Sequence, residues 1–280
     1  MATRTWTGAS SGDFNATGNW AEGSVPTTGD DVIFDRGSRN LDTNLDQSAS
    51  TFVNVSFRQG YTGTAGVSVA TPFKFGASGK LVIEGGGEKL FLSGGTIATT
   101  IMRGCRADFS GEVHLANTLT LVIFQRGLLY IETGTTTTLI QDPIGGGQGQ
   151  ATCYTVTPTV TTLHQFGGLF NQTSTGTVTT LNNYGGRSQI DTGTLTTANL
   201  FNASSYVDWR TTTTLTTVKC YKGIFDASKQ AAARTITNSE VHQGGLLNLY
   251  NGLDNITRTN ATIKYGGQVV DVAGTYAFSP

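Results

Sequence analysis

One spacing constrains this chain more than any other feature: an apolar residue flanked by threonines recurs about every 20 residues. The stretch TSTGTVTTLNNYGG, residues 173–186, shows one unit, with Val178 between Thr177 and Thr179 and a glycine pair shortly after. Successive glycine positions, with Ala203-Ser204 in one of them, differ by 18 to 22 residues, which is the size of a supersecondary repeat. The predicted column of apolar residues is Leu119, Leu139, Val160, Val178, Leu195, Leu215, Ile236 and Ile256, and Ile97 extends it upstream.

A coil of about 20 residues predicts a parallel β-solenoid. The period is too short for a propeller blade, and the pattern lacks the helices of leucine-rich or ankyrin repeats. Threonine and glycine are abundant, which favours strands and tight turns over helices. We therefore expect an all-β fold, a right-handed parallel β-helix with about 18–22 residues per coil. The glycine pairs are expected at corners where φ is positive.

The threonines beside the apolar column are predicted to point away from the core, because neighbouring strand residues face opposite sides. Three interpretations of this face stay open. It is a docking surface for another protein, or a hydroxyl array that resembles the face of threonine-rich ice-binding solenoids, or a product of β-propensity and hydroxyl ladders alone. The predicted interface residues are Thr159, Thr161, Thr177, Thr179, Thr194, Thr196, Thr214 and Thr216.

The first 45 residues differ from the rest of the chain. They contain two of the three tryptophans and no repeat, and a solenoid needs an atypical terminal segment to cover its end. We predict an N-terminal cap over residues 1–45, plugged by Trp6, Phe14 and Trp20, and one continuous solenoid domain over residues 46–280. The glycine-rich stretch 142–150 lacks the Lys-Ser or Lys-Thr of a phosphate loop and is predicted to be a flexible insertion.

The cap also carries a resemblance. Trp6-Thr7-Gly8, Gly18-Asn19-Trp20, Pro26 and Gly29-Asp30-Asp31-Val32-Ile33 are similar to a recurring opening of parallel β-helix proteins from bacteriophage virions and bacterial surfaces. The similarity covers about one eighth of the chain. It implies a β-helix in a structural or adhesive setting, and it implies no particular activity.

Composition and charge limit the partners. The net charge is −1 and only 13% of residues are charged, so a cationic surface for nucleic acid or anionic lipid is not expected. The longest apolar run, residues 119–124, is too short to span a bilayer, and the N-terminus lacks the apolar core of a signal peptide. We expect a protein made in a host cytoplasm, with Cys105, Cys153 and Cys220 as buried reduced thiols.

The best catalytic constellation consists of Asp191, Asp208 and Asp226, which fall near one corner of three consecutive coils, with Arg187 and Arg210 nearby. Some β-helices cleave polysaccharides with paired carboxylates. The three aspartates have different offsets from the corner, so solvated turn residues are the preferred interpretation.

No cofactor or metal site is predicted. The only histidines, His114, His164 and His242, suggest no metal pair, and Asp30, Asp31 and Asp35 lack the spacing of a calcium loop. Trp209 is interpreted as an edge aromatic, with a sugar-stacking platform as the alternative.

Together these features predict a non-enzymatic structural virion protein, most specifically a bacteriophage capsid decoration or cement protein that docks through a solenoid face. The alternatives are a glycan-binding or glycan-cleaving tailspike or adhesin, and a threonine-rich ice-binding solenoid. The expected partners are other virion proteins of the capsid or tail, and a homo-oligomer such as a trimer stays open. Nucleic acid and membrane are not expected as partners.

Overall fold

A computed structural model describes residues 1–105, 111–144, 151–250, 256–271 and 274–277. The chain is all-β with almost no helix, and its parallel strands stack as a β-solenoid of about 11 turns with about 21 residues per coil. This confirms the parallel β-solenoid predicted from the repeat. The chain divides into two compact units, Met1–Thr137 and Thr138–Pro280. Most of the predicted flexible insertion, residues 145–150, lies outside the described residues.

The first unit contains two parallel sheets that alternate along the chain. One sheet has the order β1-β2-β4-β6-β8-β10 and the other β3-β5-β7-β9-β11. A short 3-10 helix, Thr17–Asn19, lies in the predicted cap. The strands are β1 (Thr3–Trp6), β2 (Asp31–Phe34), β3 (Asp46–Gln47), β4 (Phe52–Phe57), β5 (Phe73–Phe75), β6 (Ser78–Ile83), β7 (Lys89–Gly94), β8 (Ile97–Met102), β9 (Glu112–Ala116), β10 (Leu119–Phe124) and β11 (Gly127–Ile131).

The second unit repeats this arrangement with the orders β14-β16-β18-β20-β22-β24 and β13-β15-β17-β19-β21-β23-β25. The last strand, β26, pairs antiparallel with β25. The residue boundary between the units falls within β12 (Thr135–Gln141). The strands are β13 (Ala151–Thr155), β14 (Thr159–Gln165), β15 (Leu169–Gln172), β16 (Thr177–Asn183), β17 (Gly186–Ile190), β18 (Thr194–Leu200), β19 (Ser205–Trp209), β20 (Leu215–Cys220), β21 (Gly223–Asp226), β22 (Arg234–Val241), β23 (Gly245–Asn248), β24 (Ile256–Ile263), β25 (Gln268–Asp271) and β26 (Gly274–Ala277).

The predicted apolar column is correct over most of its length. Val160 pairs with Val178, Val178 pairs with Leu195, and Leu215 pairs with Ile236, all of them buried. These residues form a continuous line of core side chains across neighbouring coils.

The column is wrong at two of its predicted members. Ile236 pairs with Arg258, whereas Ile256 pairs with Arg234 and is only half-buried. Leu139 is buried, but β12 has the burial pattern of β14, which places Thr136 at the position of Val160 and Leu139 at that of Leu163. In both coils the inward position is held by a polar residue, and an apolar residue two or three positions away fits the spacing better.

Strict alternation also breaks inside each long strand. In β14 the side chains of Thr161 and Thr162 are both outside the core, and Leu163 is buried. The same two-residue step occurs in β4, β8, β10, β16, β18 and β20. Because two consecutive residues leave the core, we infer that the strand bends there. In β14, β16, β18 and β20 the second outward residue is a threonine, whereas β4 and β10 have Asn54 and Leu121 at that position.

The corner glycines have the backbone conformation that the repeat predicts. Gly168 has φ 74° and Gly186 has φ 83°, values that favour glycine. A Cβ atom on Gly186 would lie 2.6 Å from the carbonyl carbon of Gly167, so the corner also needs the missing side chain.

The aromatic residues predicted to plug the cap are buried. Trp6, Phe14 and Trp20 are at most 2% exposed, and Trp20 packs edge-on against both other rings at 5.2 and 5.0 Å between centroids. The boundary at residue 45 stays a prediction, and residues before it already supply β1 and β2.

Candidate functional site

The outward threonines of the second unit form a regular array on four consecutive strands. Thr159 pairs with Thr177 and Thr177 with Thr194, while Thr162, Thr180, Thr197 and Thr217 pair in sequence. A third column, Thr161, Thr179, Thr196 and Thr216, lies between these two. Each of its members directly follows a residue of the buried apolar column, such as Val160 or Val178. We call this surface the threonine array: Thr159, Thr161, Thr162, Thr177, Thr179, Thr180, Thr194, Thr196, Thr197, Thr214, Thr216 and Thr217.

All eight predicted interface threonines belong to this array, and none of them is buried. Those of the two outer coils, Thr159 and Thr161 on β14 and Thr214 and Thr216 at the start of β20, are exposed. Those of β16 and β18 are half-buried because threonines of adjacent strands cover them. None of the twelve hydroxyls forms a hydrogen bond with another residue that the structure describes. The hydroxyls are therefore available to water or to a partner.

The array repeats at about 4.8 Å between strands and about 7 Å within a strand. Its side chains carry a methyl group and a hydroxyl but no titratable group, so it can bind a partner through hydrogen bonds and apolar contact but cannot transfer a proton at neutral pH. The column containing Thr162 was not predicted, because strict alternation places that residue in the core. The signal in the sequence is the threonine pair that precedes Leu163 in the motif TVTTL.

A second polar feature lies on the other sheet, around Asp208 of β19. The Oδ2 atom of Asp208 accepts hydrogen bonds from Arg187 Nη2 at 2.9 Å, Arg210 Nη2 at 2.7 Å and Lys229 Nζ at 2.8 Å. The side chain of Asp208 is fully buried beneath these three cations. Burial alone raises the pKa of Asp208, but the hydrogen bonds from Arg210, Lys229 and Arg187 outweigh it and hold the pKa below its usual value.

The neighbouring carboxylates join the same network. Asp226 pairs with Asp208 across the sheet and accepts hydrogen bonds from Tyr206 Oη at 2.5 Å and Ser228 Oγ at 2.6 Å. Burial raises the pKa of Asp226, and these bonds lower it further than burial raises it. Asp191 contacts Arg210 Nη1 at 3.3 Å.

The interpretation of the aspartates as solvated turn residues is therefore wrong for two of the three. Asp208 and Asp226 lie on strands and are buried, whereas Asp191 follows β17 and is half-buried. They are covered because Lys229, which belongs to the loop after β21, reaches back over both carboxylates, at 2.8 Å from Asp208 and 3.7 Å from Asp226.

This arrangement suits a structural ion-pair network better than an acid–base pair. A glycosidase needs one carboxylic acid with a raised pKa and one carboxylate that the substrate can reach. Here the pKa values of both strand aspartates are lowered, and three cations cover Asp208.

The histidines have protein partners. His114 lies between the rings of Phe91 and Tyr130, at 4.8 and 4.5 Å between centroids, and its two nitrogens face Glu132 at 2.6 Å and Glu112 at 3.3 Å. In the described residues, no group of three or more His, Cys, Asp or Glu side chains is placed to hold a metal ion.

Other candidate residues are part of the core or of turns. Cys105, Cys153 and Cys220 are buried free thiols, as predicted, and burial raises the pKa of Cys220 to about 12. Trp209 is fully buried beneath the guanidinium of Arg234, 4.5 Å from the ring centroid, so it is neither an edge aromatic nor a sugar platform.

One surface feature was not predicted from the sequence, a row of stacked rings that we call the aromatic ladder. Neighbouring rings are 4.7 to 5.3 Å apart between centroids. Because the ring faces cover one another, mainly their edges are outside, which does not suit stacking of sugars on the faces. The signal was the ring residue immediately before two glycine pairs, in FGG (166–168) and YGG (184–186). The ladder consists of Phe166, Tyr184, Phe201, Tyr221 and His242.

Comparison of the chain with protein-family models, with curated proteins and with solved structures gave no match. The resemblance of the N-terminal opening to virion and surface β-helices therefore stays a prediction. Among the described residues, no helix is long and apolar enough to cross a membrane.

Proposed function

We propose that this protein is a non-enzymatic structural component of a bacteriophage virion, a capsid decoration or cement protein that docks through the threonine array. The observation that carries the proposal is the regularity of that array. Twelve outward threonines keep their register over four strands, and their hydroxyls have no partner among the described residues. A regular, uncharged surface of this kind suits contact with another ordered protein surface, since it offers many hydrogen bonds and buries no charge.

The polar cluster supports the non-enzymatic part of the proposal. Asp208 and Asp226 have lowered pKa values and are held by hydrogen bonds within the protein, so neither is suited to donate a proton near neutral pH. The aromatic ladder, which mainly presents ring edges, gives little support to a sugar platform.

The test is a triple variant on the array, with Thr179→Asp, Thr196→Asp and Thr216→Asp. These substitutions place one charge on each of three adjacent strands, at a spacing of about 5 Å. Each charge must lose its water when the face meets a partner, so we expect the folded variant to lose incorporation into particles. Incorporation is measured by producing the variant together with the particle proteins and sedimenting the assembled particles through a sucrose gradient.

The matched control carries the same three substitutions at exposed threonines outside the array, Thr173, Thr192 and Thr212. We expect this control to be incorporated like the parent protein. Normal incorporation of the array variant, with the fold intact by circular dichroism, contradicts docking through this face. Equal loss in both variants also contradicts it, because the effect then comes from added charge and not from the face.

The same array keeps ice binding as a second candidate, because its hydroxyls repeat in register from strand to strand. Thermal hysteresis and ice recrystallisation assays decide this question without a particle. Activity in the parent protein that is lost in the array variant and kept in the control would favour ice over docking.

The tailspike or adhesin alternative rests on the pairing of Asp208 with Asp226 across adjacent strands. Cleavage of bacterial surface glycans by the parent protein, abolished by Asp208→Asn or Asp226→Asn in a folded variant, would favour that alternative.

A further inference from the structure

The aromatic ladder belongs to a longer column that has opposite charges at its ends. Each member is the first residue after a long strand. From the second member on, its backbone N–H donates to the last residue of the strand one coil earlier, as Tyr184 N–H does to the carbonyl of Gln165. Six such bonds, of 2.8 to 2.9 Å, connect the column. In order, its members are Asp142, Phe166, Tyr184, Phe201, Tyr221, His242 and Lys264.

The middle of this column is apolar and partly exposed. Phe166 is 48% exposed and Phe201 is 37% exposed, which places both among the most exposed large apolar residues of the second unit. The rings from Phe166 to Tyr221 are nearly parallel, with interplanar angles of 8 to 11°. The column therefore presents a straight strip of ring edges to the solvent.

The two ends of the strip differ in charge. Asp142 is an exposed carboxylate at the first end. At the other end Lys264, which is 44% exposed, and Lys219 share Glu240, at 2.6 and 3.8 Å, and the exposed Lys222 lies beside the column. Three lysines and one glutamate give that end a positive charge.

Phe201 is the fourth of the seven members, so the strip is complementary to itself when reversed. A two-fold axis through Phe201 brings Asp142 opposite Lys264 of a second copy, Phe166 opposite its His242 and Tyr184 opposite its Tyr221. We propose that this strip is a self-association surface, on which a second copy of the chain docks antiparallel to form a two-fold symmetric dimer. A parallel pairing lacks this complementarity because it places like charges side by side.

The size of the strip sets the strength of the dimer. Six steps of about 4.8 Å make it about 29 Å long, and three adjacent outward columns make it roughly 15 Å wide. Each copy then buries on the order of 430 Å² of flat surface, at the low end of specific interfaces. We therefore expect a weak dimer that forms at micromolar or higher concentrations. This inference does not depend on the proposed virion role, because it concerns the purified chain alone.

Sedimentation equilibrium of the full chain, from about 5 to about 500 μM, tests the proposal. The mass should rise from that of the 29.5 kDa monomer toward twice that value. Phe201→Glu places two carboxylates at the two-fold axis and should weaken the dimer at least about tenfold. Thr196→Glu adds the same charge to the same coil, but on the threonine array, and should leave the dimer unchanged. Circular dichroism and thermal unfolding verify that both variants are folded.

A charge exchange tests the antiparallel orientation. A first variant with Asp142→Lys and a second with Lys264→Glu should each weaken the dimer when tested separately, because each brings like charges together at both ends. The second variant also carries Glu240→Gln, so that the new carboxylate does not face Glu240. An equimolar mixture of the two variants should regain the dimer, because each heterodimer has an opposite-charge pair at both ends.

Several results would overturn the proposal: a monomer at every concentration, a trimer, or a dimer that Phe201→Glu leaves intact. A mixture that stays as weakly associated as its components would also overturn the antiparallel arrangement. Because no particle is involved, these results are independent of whether the threonine array docks.

Discussion

Replacing Asp208 by asparagine tests the ion-pair network directly. The carboxylate is fully buried and accepts three charged hydrogen bonds, whereas its partners Arg187, Arg210 and Lys229 are 33 to 42% exposed. Breaking a fully buried pair costs about 3–5 kcal/mol, but these cations can regain water and the amide oxygen of asparagine still accepts a hydrogen bond. We therefore expect Asp208→Asn to lower the free energy of unfolding by about 2 kcal/mol at pH 7, or the melting temperature by about 4–8 °C.

The loss should depend on pH in a defined direction. The pKa of Asp208 is lower in the folded protein than the unfolded value of about 3.9, so the folded state binds fewer protons between those two values. The stabilisation from Asp208 is fully present above the unfolded pKa and disappears as the pH falls through the lower folded pKa. The difference between the parent protein and Asp208→Asn should therefore be largest near neutral pH and shrink below about pH 4.

Urea unfolding at a series of pH values from 7 to 2, followed by circular dichroism, measures this difference. Asp191→Asn is the matched control, because Asp191 is 30% exposed, its contact with Arg210 is 3.3 Å long, and its other partner, Gln189, is uncharged. Its effect should stay below about 0.5 kcal/mol. A difference for Asp208→Asn that stays constant down to pH 2, or no loss at pH 7, would refute the network.

Two further substitutions test the coil. Leu195→Asp places an unpaired charge in the core and should lower the free energy of unfolding by more than about 4 kcal/mol. Thr196→Asp, at the adjacent outward position, should change the free energy of unfolding by less than about 0.5 kcal/mol. Equal effects in urea unfolding would contradict the assignment of Leu195 to the core and Thr196 to the surface. Gly186→Ala should destabilise the protein more than Gly244→Ala, although both glycines have positive φ. A Cβ on Gly186 would lie 2.6 Å from the carbonyl carbon of Gly167, whereas the atom nearest to a Cβ on Gly244 is Lys222 Cγ at 3.7 Å. Equal melting temperatures would show that the close approach at this corner is not significant.

The repeat was sufficient to predict the fold because every coil must place an apolar side chain at the same inward position. Spacing alone did not fix the register, however. Ile256 fits the period better than Arg258, and Leu139 better than Thr136, because an inward polar residue is invisible to a search for apolar columns. Inward polar residues of the core differ in how their polar atoms are bound. Gln165 Nε2 donates to the carbonyls of Gly168 and Arg187 at 3.2 and 2.9 Å, whereas the buried hydroxyl of Thr136 has no hydrogen-bond partner among the described residues.

The position of a candidate site residue could be predicted from the sequence only where it depends on the pattern within a single coil. The eight threonines follow from alternation within one strand, and Thr162 was missed because the strand bends after Thr161. The burial of Asp208 depends on side chains 21 residues away in each direction, Arg187 and Lys229, which no local pattern brings together.

The central claim is that the threonine array is the surface through which this protein docks in a virion. Electron cryomicroscopy of the assembled particle tests it most directly. We expect the array, from Thr159 to Thr217, to lie against a neighbouring protein with hydroxyls within hydrogen-bonding distance, about 3 Å, of partner groups. A reconstruction in which the array faces solvent while another surface contacts the particle would contradict the claim.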